Sequence, residues 1–266
     1  MNKALYLILI FSSLTFSLYG TNDIVLKIKF NGDFYTTDNL NNIYLVNGTN
    51  IDKQNFITGK KYHYNNAFFG NIAFLDVSDP FRILAFYKDF NQVVILDNTL
   101  SPIGNPVLLD DIDVYDCKAI CTSKNGGFWI FDNNKFQLLY FDNNLQQKHK
   151  SISISNLFNS KKIENDMFFM KENNNNVYIS IPAVGILNFD KYGALIKIYP
   201  ILNINILNIL NNQIMYCKNN KIFTYDLENY NTNIKELAIN SKIKNCKIEQ
   251  NFYFLQTENT IIIYRK

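Results

Sequence analysis

The feature that most constrains this chain is a unit recurring about every forty residues: an apolar strand, a tight polar turn, a second strand ending on an acidic or amide residue, another turn, and a third strand. In the clearest copy, residues 126–131 turn at Asp132-Asn133-Asn134 into 136–142, and Asn143-Asn144-Leu145 leads onward. The other copies are 42–46 turning at Asn47-Gly48, 82–87 running into 92–97, 177–181 into 185–190, 213–217 into 221–226, and 251–255 into 260–264. The acids that end the second strand set the period: Asp97 to Asp142 is 45 residues, Asp142 to Asp190 is 48, and Asp190 to Asp226 is 36. Tyr, Phe, Ile and Val fill the strands, with too little Ala or Glu to support helices.

A spacing near forty is that of a propeller blade. One small antiparallel sheet cannot bury both faces, whereas blades packed radially share a continuous core. Asn-Gly and Asn-Asn turns fit, because both tolerate the positive φ of tight hairpins. The expected fold is therefore an all-β propeller of six blades; five or seven stay open, and a sandwich or an open array of sheets is the rival. The sixth unit runs out after two strands, while residues 24–30 offer one spare strand near the N-terminus. Its alternation of apolar residues with Lys27 and Lys29 suits an edge, so it is expected to complete the last blade and latch the ring. Innermost strands are expected at 71–76, 118–122, 166–170, 206–210 and 241–248, with 32–37 the best choice for the first blade. The one helical turn expected is Ser155-Asn156-Leu157-Phe158.

Residues 1–20 read as a separate object. A short basic start, an apolar run at 4–11 and a fade through serines to Gly20 describe a secretory signal peptide, which leaves 21–266 as a single propeller domain. The apolar stretch is shorter than the roughly 20 residues a membrane span needs, and no cysteine stands at its exit to carry a lipid. Beyond it, 47% hydrophobic and 18% charged residues describe a chain that folds in water. A net charge of +3, spread over scattered lysines, is too weak a field for nucleic acid. Cys117 and Cys121, four apart on one strand, lie about 13 Å from each other and are out of bonding reach. For Cys217 and Cys246 two readings stand, a bridge between neighbouring repeats or two small buried hydrophobes. His63 and His149 are the only histidines and neither has a partner at zinc spacing, so no metal or cofactor is expected.

No local constellation of nucleophile, base and orienting group is present, so no catalytic residue is assigned. The acidic run Asp110 to Asp116 lacks the glycine and glutamate of a calcium loop and reads as a solvated connection. Asp97, Asp142, Asp190 and Asp226 occupy equivalent positions, which favours a structural role in which each accepts backbone hydrogen bonds in the next turn. The candidates for partner binding are aromatics. Tyr62, Tyr64, Phe68 and Phe69 form a stretch longer than a hairpin needs, with a core-lining strand as the alternative. Tyr87, Phe90 and Tyr192 sit at turns that a closed ring would gather on one face. Trp129 would anchor a sugar or peptide at a rim, but beside so apolar a strand it reads more readily as core.

The segment 76–97, followed by Gly127-Phe128-Trp129-Ile130-Phe131-Asp132, resembles exported, poorly characterised propeller proteins of Bacteroidota, and the likeness spans most of the mature chain. That resemblance implies a periplasmic or secreted cell-envelope protein with no catalytic residues to carry over. The expected function is non-catalytic binding or scaffolding of another envelope protein through a propeller face. The alternatives are an enzyme acting on a carbohydrate or lactone, or a glycan-binding ring.

Overall fold

The computed structural model describes residues 24–158, 167–237, 239 and 241–266. The signal-peptide reading of 1–20, and Asp166 of the fourth inner strand, lie outside these residues. The described chain folds as six four-stranded antiparallel sheets. Blade 1 is β2 (Phe34–Thr37), β3 (Asn42–Asn47), β4 (Asn50–Asn55) and β5 (Lys61–Asn65). Blade 2 is β6 (Ile72–Asp76), β7 (Ile83–Tyr87), β8 (Gln92–Leu96) and β9 (Val107–Leu108), and blade 3 is β10 (Cys117–Thr122), β11 (Phe128–Asp132), β12 (Gln137–Phe141) and β13 (Gln147–Lys150). Blade 4 is β14 (Phe169–Asn173), β15 (Asn176–Ile181), β16 (Gly185–Asp190) and β17 (Leu195–Tyr199). Blade 5 is β18 (Asn208–Leu210), β19 (Gln213–Lys218), β20 (Lys221–Asp226) and β21 (Thr232–Glu236). Blade 6 takes β22 (Asn245–Ile248), β23 (Phe252–Gln256) and β24 (Thr260–Arg265) from the C-terminal end and β1 (Ile24–Lys29) from the N-terminal end.

Closure follows the expected route. β1 pairs antiparallel with β24, Leu26 opposite Ile263 and Lys29 opposite Thr260, and the Phe30 N–H donates to the Asn259 carbonyl at 2.9 Å. The seam between blades 6 and 1 has its own core of Phe30, Tyr35, Ile43, Phe254, Ile261 and Ile263. Phe254, Ile261 and Ile263 are fully buried there, each such side chain stabilising the fold by about 1.5–3 kcal/mol. The Tyr35 hydroxyl donates to the Phe254 carbonyl across the same seam at 2.8 Å. Five further clusters lie one between each remaining pair of neighbours, so the hydrophobic core is a set of six wedges around an axis.

Local chemistry explains the turns. Three hairpins close on Asn-Asn pairs, Asn174-Asn175, Asn211-Asn212 and Asn219-Asn220, all at positive φ between 47° and 62°; this is the backbone that two-residue hairpins between twisted strands require. Gly127 opens β11 at φ +64°, where a Cβ would fall 1.9 Å from the Phe141 carbonyl oxygen. The repeated acids cap the turn between third and fourth strands. Asp97 Oδ1 accepts from the N–H groups of Thr99 and Ser101, Asp142 from Asn144 and Gln146, Asp190 from Tyr192 and Ala194, and Asp226 from Glu228 and Asn229. These donors hold the carboxyls of Asp97, Asp142 and Asp226 below the usual range. The helical turn Ser155–Phe158 is present as a 3-10 turn, and the acidic run 110–116 spans the connection from β9 to β10.

Of the two cysteine readings, the bridge is the one found: Cys217 of blade 5 and Cys246 of blade 6 are joined, with Cα atoms 6.1 Å apart. Cys117 and Cys121 are free and buried, and burial pushes both thiols up, which makes them packing groups rather than nucleophiles.

Two outcomes are expected. The bridge closes a loop of 29 residues, so replacing both cysteines by serine should lower unfolding free energy by about 2–4 kcal/mol in denaturant titration; an unchanged midpoint would show that the wedge core alone sets stability. Asp97, Asp142 and Asp226 titrate below their unfolded values, so the stability they add is present above the ordinary carboxylate range and lost as pH falls through the lowered values. Asp97→Asn with Asp142→Asn and Asp226→Asn keeps the turn acceptor and removes the charge. Thermal melts from pH 6 downward should fall less steeply for this variant than for the parent.

Candidate functional site

Because strands alternate in direction, the first-to-second turn of every blade and the third-to-fourth turns of blades 1 to 5 lie at one end of the axis, here the turn face. The second-to-third turns and the interblade connections lie at the other, the connection face. This splits the sequence-predicted aromatics. Phe68, in the 3-10 turn Ala67–Phe69 between blades 1 and 2, is 87% exposed, and Phe90, in the β7–β8 turn, is 53% exposed. Both belong to the connection face, and their loops abut: an ideal Cβ on Gly70 would lie 2.9 Å from the Asp89 carboxylate. Tyr192 is also exposed but lies in the β16–β17 turn, at the opposite end, with its ring edge-on to His149. The expected gathering of the Phe90 and Tyr192 turns on one face therefore fails, because strand parity decides the end at which a turn emerges, and Phe90 instead shares its face with Phe68.

The remaining aromatics are interior or half-covered. Tyr64 and Tyr87 are buried in the blade 1–2 wedge with their hydroxyls 3.3 Å apart, and Phe69 packs edge-on against the Tyr87 ring. Tyr62 is half-buried on β5, with Lys53 and Lys60 over its ring. Trp129 is 2% exposed and stacks near Tyr140, so it offers no open platform. Its indole N–H donates to Glu172 Oε2 at 2.8 Å.

The axis holds a cavity of about 460 Å³ that the sequence reading did not single out. It opens at the turn face, where the inner strands end, and every blade contributes. Five acidic residues line it: Asp38, Asp76, Asp79, Glu172 and Glu249. Three of these carboxylates staple neighbouring blades. Asp76 of blade 2 accepts from the Thr122 N–H and hydroxyl of blade 3 at 2.8 and 2.7 Å, and its other oxygen takes the N–H and hydroxyl of Ser78. Glu172 of blade 4 accepts from Trp129 of blade 3, and Glu249, just past β22 of blade 6, accepts from the Thr37 hydroxyl of blade 1 at 2.8 Å. Asp38 is enclosed within blade 1 by Leu40, Asn42 and the Tyr44 hydroxyl. Asn208 completes the set, its Oδ1 accepting from the Ile248 N–H across blades 5 and 6.

On the connection side of these groups lies a second cavity of about 390 Å³, lined largely by Phe34, Ala73, Phe74, Met167, Phe169 and Ile206. Phe74 and Phe169 meet edge to face across the axis, ring centres 6.0 Å apart. Lys247 lines both cavities, 8% exposed, its ammonium 4.5 Å from the Phe169 ring centre. Burial, and Lys171 nearby, pull its pKa down to about 8, against the opposing pull of Glu249 and Asp76. Burial pushes the Glu249 carboxyl up, countered chiefly by Lys171. One signal in the sequence pointed here: Asp76 and Lys171-Glu172 are charged residues near the ends of inner strands that begin apolar. Both histidines are remote, His63 on β5 paired with Asp52 and His149 on β13. Among the described residues no group of three or more His, Cys, Asp or Glu is placed to hold a metal ion.

No family model matches the chain and no curated protein matches it. Solved structures do. A streptogramin B lyase is 13% identical, with 91% of this chain and 87% of that one covered and a TM-score of 0.59. A catalytically inactive histidine-to-alanine variant of virginiamycin B lyase from Staphylococcus aureus, solved with quinupristin, is 12% identical over 91% and 98% of the two chains at a TM-score of 0.56. The WD40 domain of Neurospora crassa Pan2 is 9% identical over 91% and 94% at a TM-score of 0.55. Lyases and a WD40 domain thus both resemble this fold, and the fold alone does not choose between catalysis and binding. The comparisons speak to the fold alone, and the chain's own strand pairing makes it a six-bladed β-propeller closed by its first strand.

Proposed function

We propose that the chain is an exported, non-catalytic binding module that presents the blade 1–2 sector of its connection face to another cell-envelope protein. The observation that carries this reading is the pair Phe68 and Phe90, two exposed aromatics on abutting loops. The Phe68 turn is held in advance of binding, since the Asn66 side chain caps it by accepting from the Phe68 N–H at 3.0 Å. A ring-mounted aromatic that needs no ordering on contact is what an interface anchor requires. Export is supported by the basic and apolar start of the chain, by the resemblance to exported propellers of Bacteroidota, and by the Cys217–Cys246 bridge, which persists in oxidising compartments. No helix among the described residues is long and apolar enough to cross a membrane. The non-catalytic part rests on the axial carboxylates, whose hydrogen bonds to strand ends account for them as staples, and on an axis narrowed by Phe74 and Phe169.

A second reading, an enzyme of the axial cavity acting on a carbohydrate or lactone, is favoured by one observation. Glu249 combines a raised pKa with a place at the cavity wall, as a general acid would.

Affinity purification from the native envelope in mild detergent, with the parent and with Phe68→Ser plus Phe90→Ser, separates the two. The binding reading expects a defined protein that co-purifies with the parent and is lost at least tenfold from the variant, with both chains melting alike. The enzyme reading expects turnover in a panel of lactones and aryl glycosides that Glu249→Gln abolishes. A parent chain that recovers no partner and turns over a panel member would overturn the binding proposal.

A further inference from the structure

Lys247 is charged, nine-tenths buried, and forms no ion pair among the described residues. An ammonium in such a place is costly unless something anionic meets it. The charged groups facing it are Lys171 from β14, Asp76 from β6, and Glu249 two residues along its own chain. Asp76 is saturated by Thr122 and Ser78, Glu249 is held by Thr37, and neither comes within ion-pairing distance of the Lys247 Nζ. The turn-face cavity is lined by Asp38, Asp76, Asp79, Glu172 and Glu249 against Lys124, Lys171 and Lys247, so acids outnumber bases and an anion approaching from that end meets a net negative wall. The connection-side cavity has the opposite character: its lining includes no acidic residue, its walls are mostly apolar, and Lys247 is its one charged group among the described residues.

We infer that this connection-side cavity binds a small monocarboxylate with an apolar body, its carboxylate paired with the Lys247 ammonium and its hydrocarbon lying against Phe34, Phe74, Met167 and Ile206. The volume of about 390 Å³ falls in the range of small-molecule sites. The pairing removes the cost of the unmatched charge, so the ligand stabilises the fold as it binds. The lining holds no carboxylate for a dication, and a polyanion such as a phosphate ester finds one cation and mostly apolar walls. The site shares no residue with the Phe68 and Phe90 patch and stands whether or not that patch binds a protein.

The test uses the full mature chain with sub-micellar decanoate as probe and decanol as its uncharged counterpart, followed by calorimetric titration and thermal melting. Decanoate is expected to bind at a single site and raise the melting temperature, with decanol at least tenfold weaker. Decanoate affinity should also fall as pH rises through about 8, where the folded Lys247 gives up its proton. Lys247→Met, which keeps the apolar stem, should lose the preference for decanoate over decanol. Equal binding of decanoate and decanol by the parent, or an undiminished preference for decanoate in Lys247→Met, would overturn the proposal, as would the absence of decanoate binding at millimolar concentration. The decanoate and decanol comparison needs no variant, so it decides the matter even where Lys247→Met does not fold.

Discussion

The structure depends on blades packed face to face around a closed axis. No blade owns a core. Each buried cluster is built from two neighbours, and the ring has as many clusters as blades. Such an arrangement is stable only if the last interface forms, since an open ring would expose two apolar faces and an unpaired strand edge at once. β1 supplies both missing contacts. It covers the edge of β24, and Phe30 at its end fills the wedge between blades 6 and 1. The disulfide between blades 5 and 6 reinforces the same stretch of the ring one interface earlier.

Closure around an axis brings six inner strands together, and their ends form a polar surface in the middle of an apolar fold. Asp76, Glu172, Asn208 and Glu249 resolve that conflict by bonding from one blade to the next, so buried polarity becomes a set of interblade ties. Lys247 is the exception, a buried cation placed over an aromatic ring with no carboxylate in ion-pairing reach among the described residues. The contrast separates groups whose presence is explained by folding from one that is not. Function in this ring is therefore sought at the unmatched cation on the axis and at the exposed aromatics of the connection face, rather than among the carboxylates that a first glance at the cavity would favour.

Much of the fold was legible in the residues. The period of the strand-ending acids marked the blades, and the role expected of Asp97, Asp142, Asp190 and Asp226 is the one they perform, because an Asp at a strand end needs only the next four residues to find its donors. The spare N-terminal strand and the short C-terminal blade pointed to each other by simple complementarity. The inner strands were read less sharply: the fourth begins at Phe169 and the fifth at Asn208, each a few residues later than the pattern suggested. An inner strand is short and pairs on one edge only, so its limits are set by the axis and not by its own alternation.

The site was less legible, and for a physical reason. Nothing in the local sequence distinguishes Phe68, exposed to solvent, from Phe69, packed on Tyr87, or marks Tyr64 and Tyr87 as wedge residues rather than loop anchors. Exposure in a ring depends on which neighbour a blade face meets, and that neighbour lies some forty residues away in the sequence. Likewise, whether Tyr192 shares a face with Phe90 is a question of strand parity, and whether Lys247 has a partner depends on five other strands converging on one axis. The amino-acid sequence by itself determined the repeat, the turns that shape it and the strand that closes it, because these rest on contacts within a blade and on counting strands. Only the tertiary structure decided which side chains meet at the centre and which face the solvent, because those contacts exist only once the ring has closed.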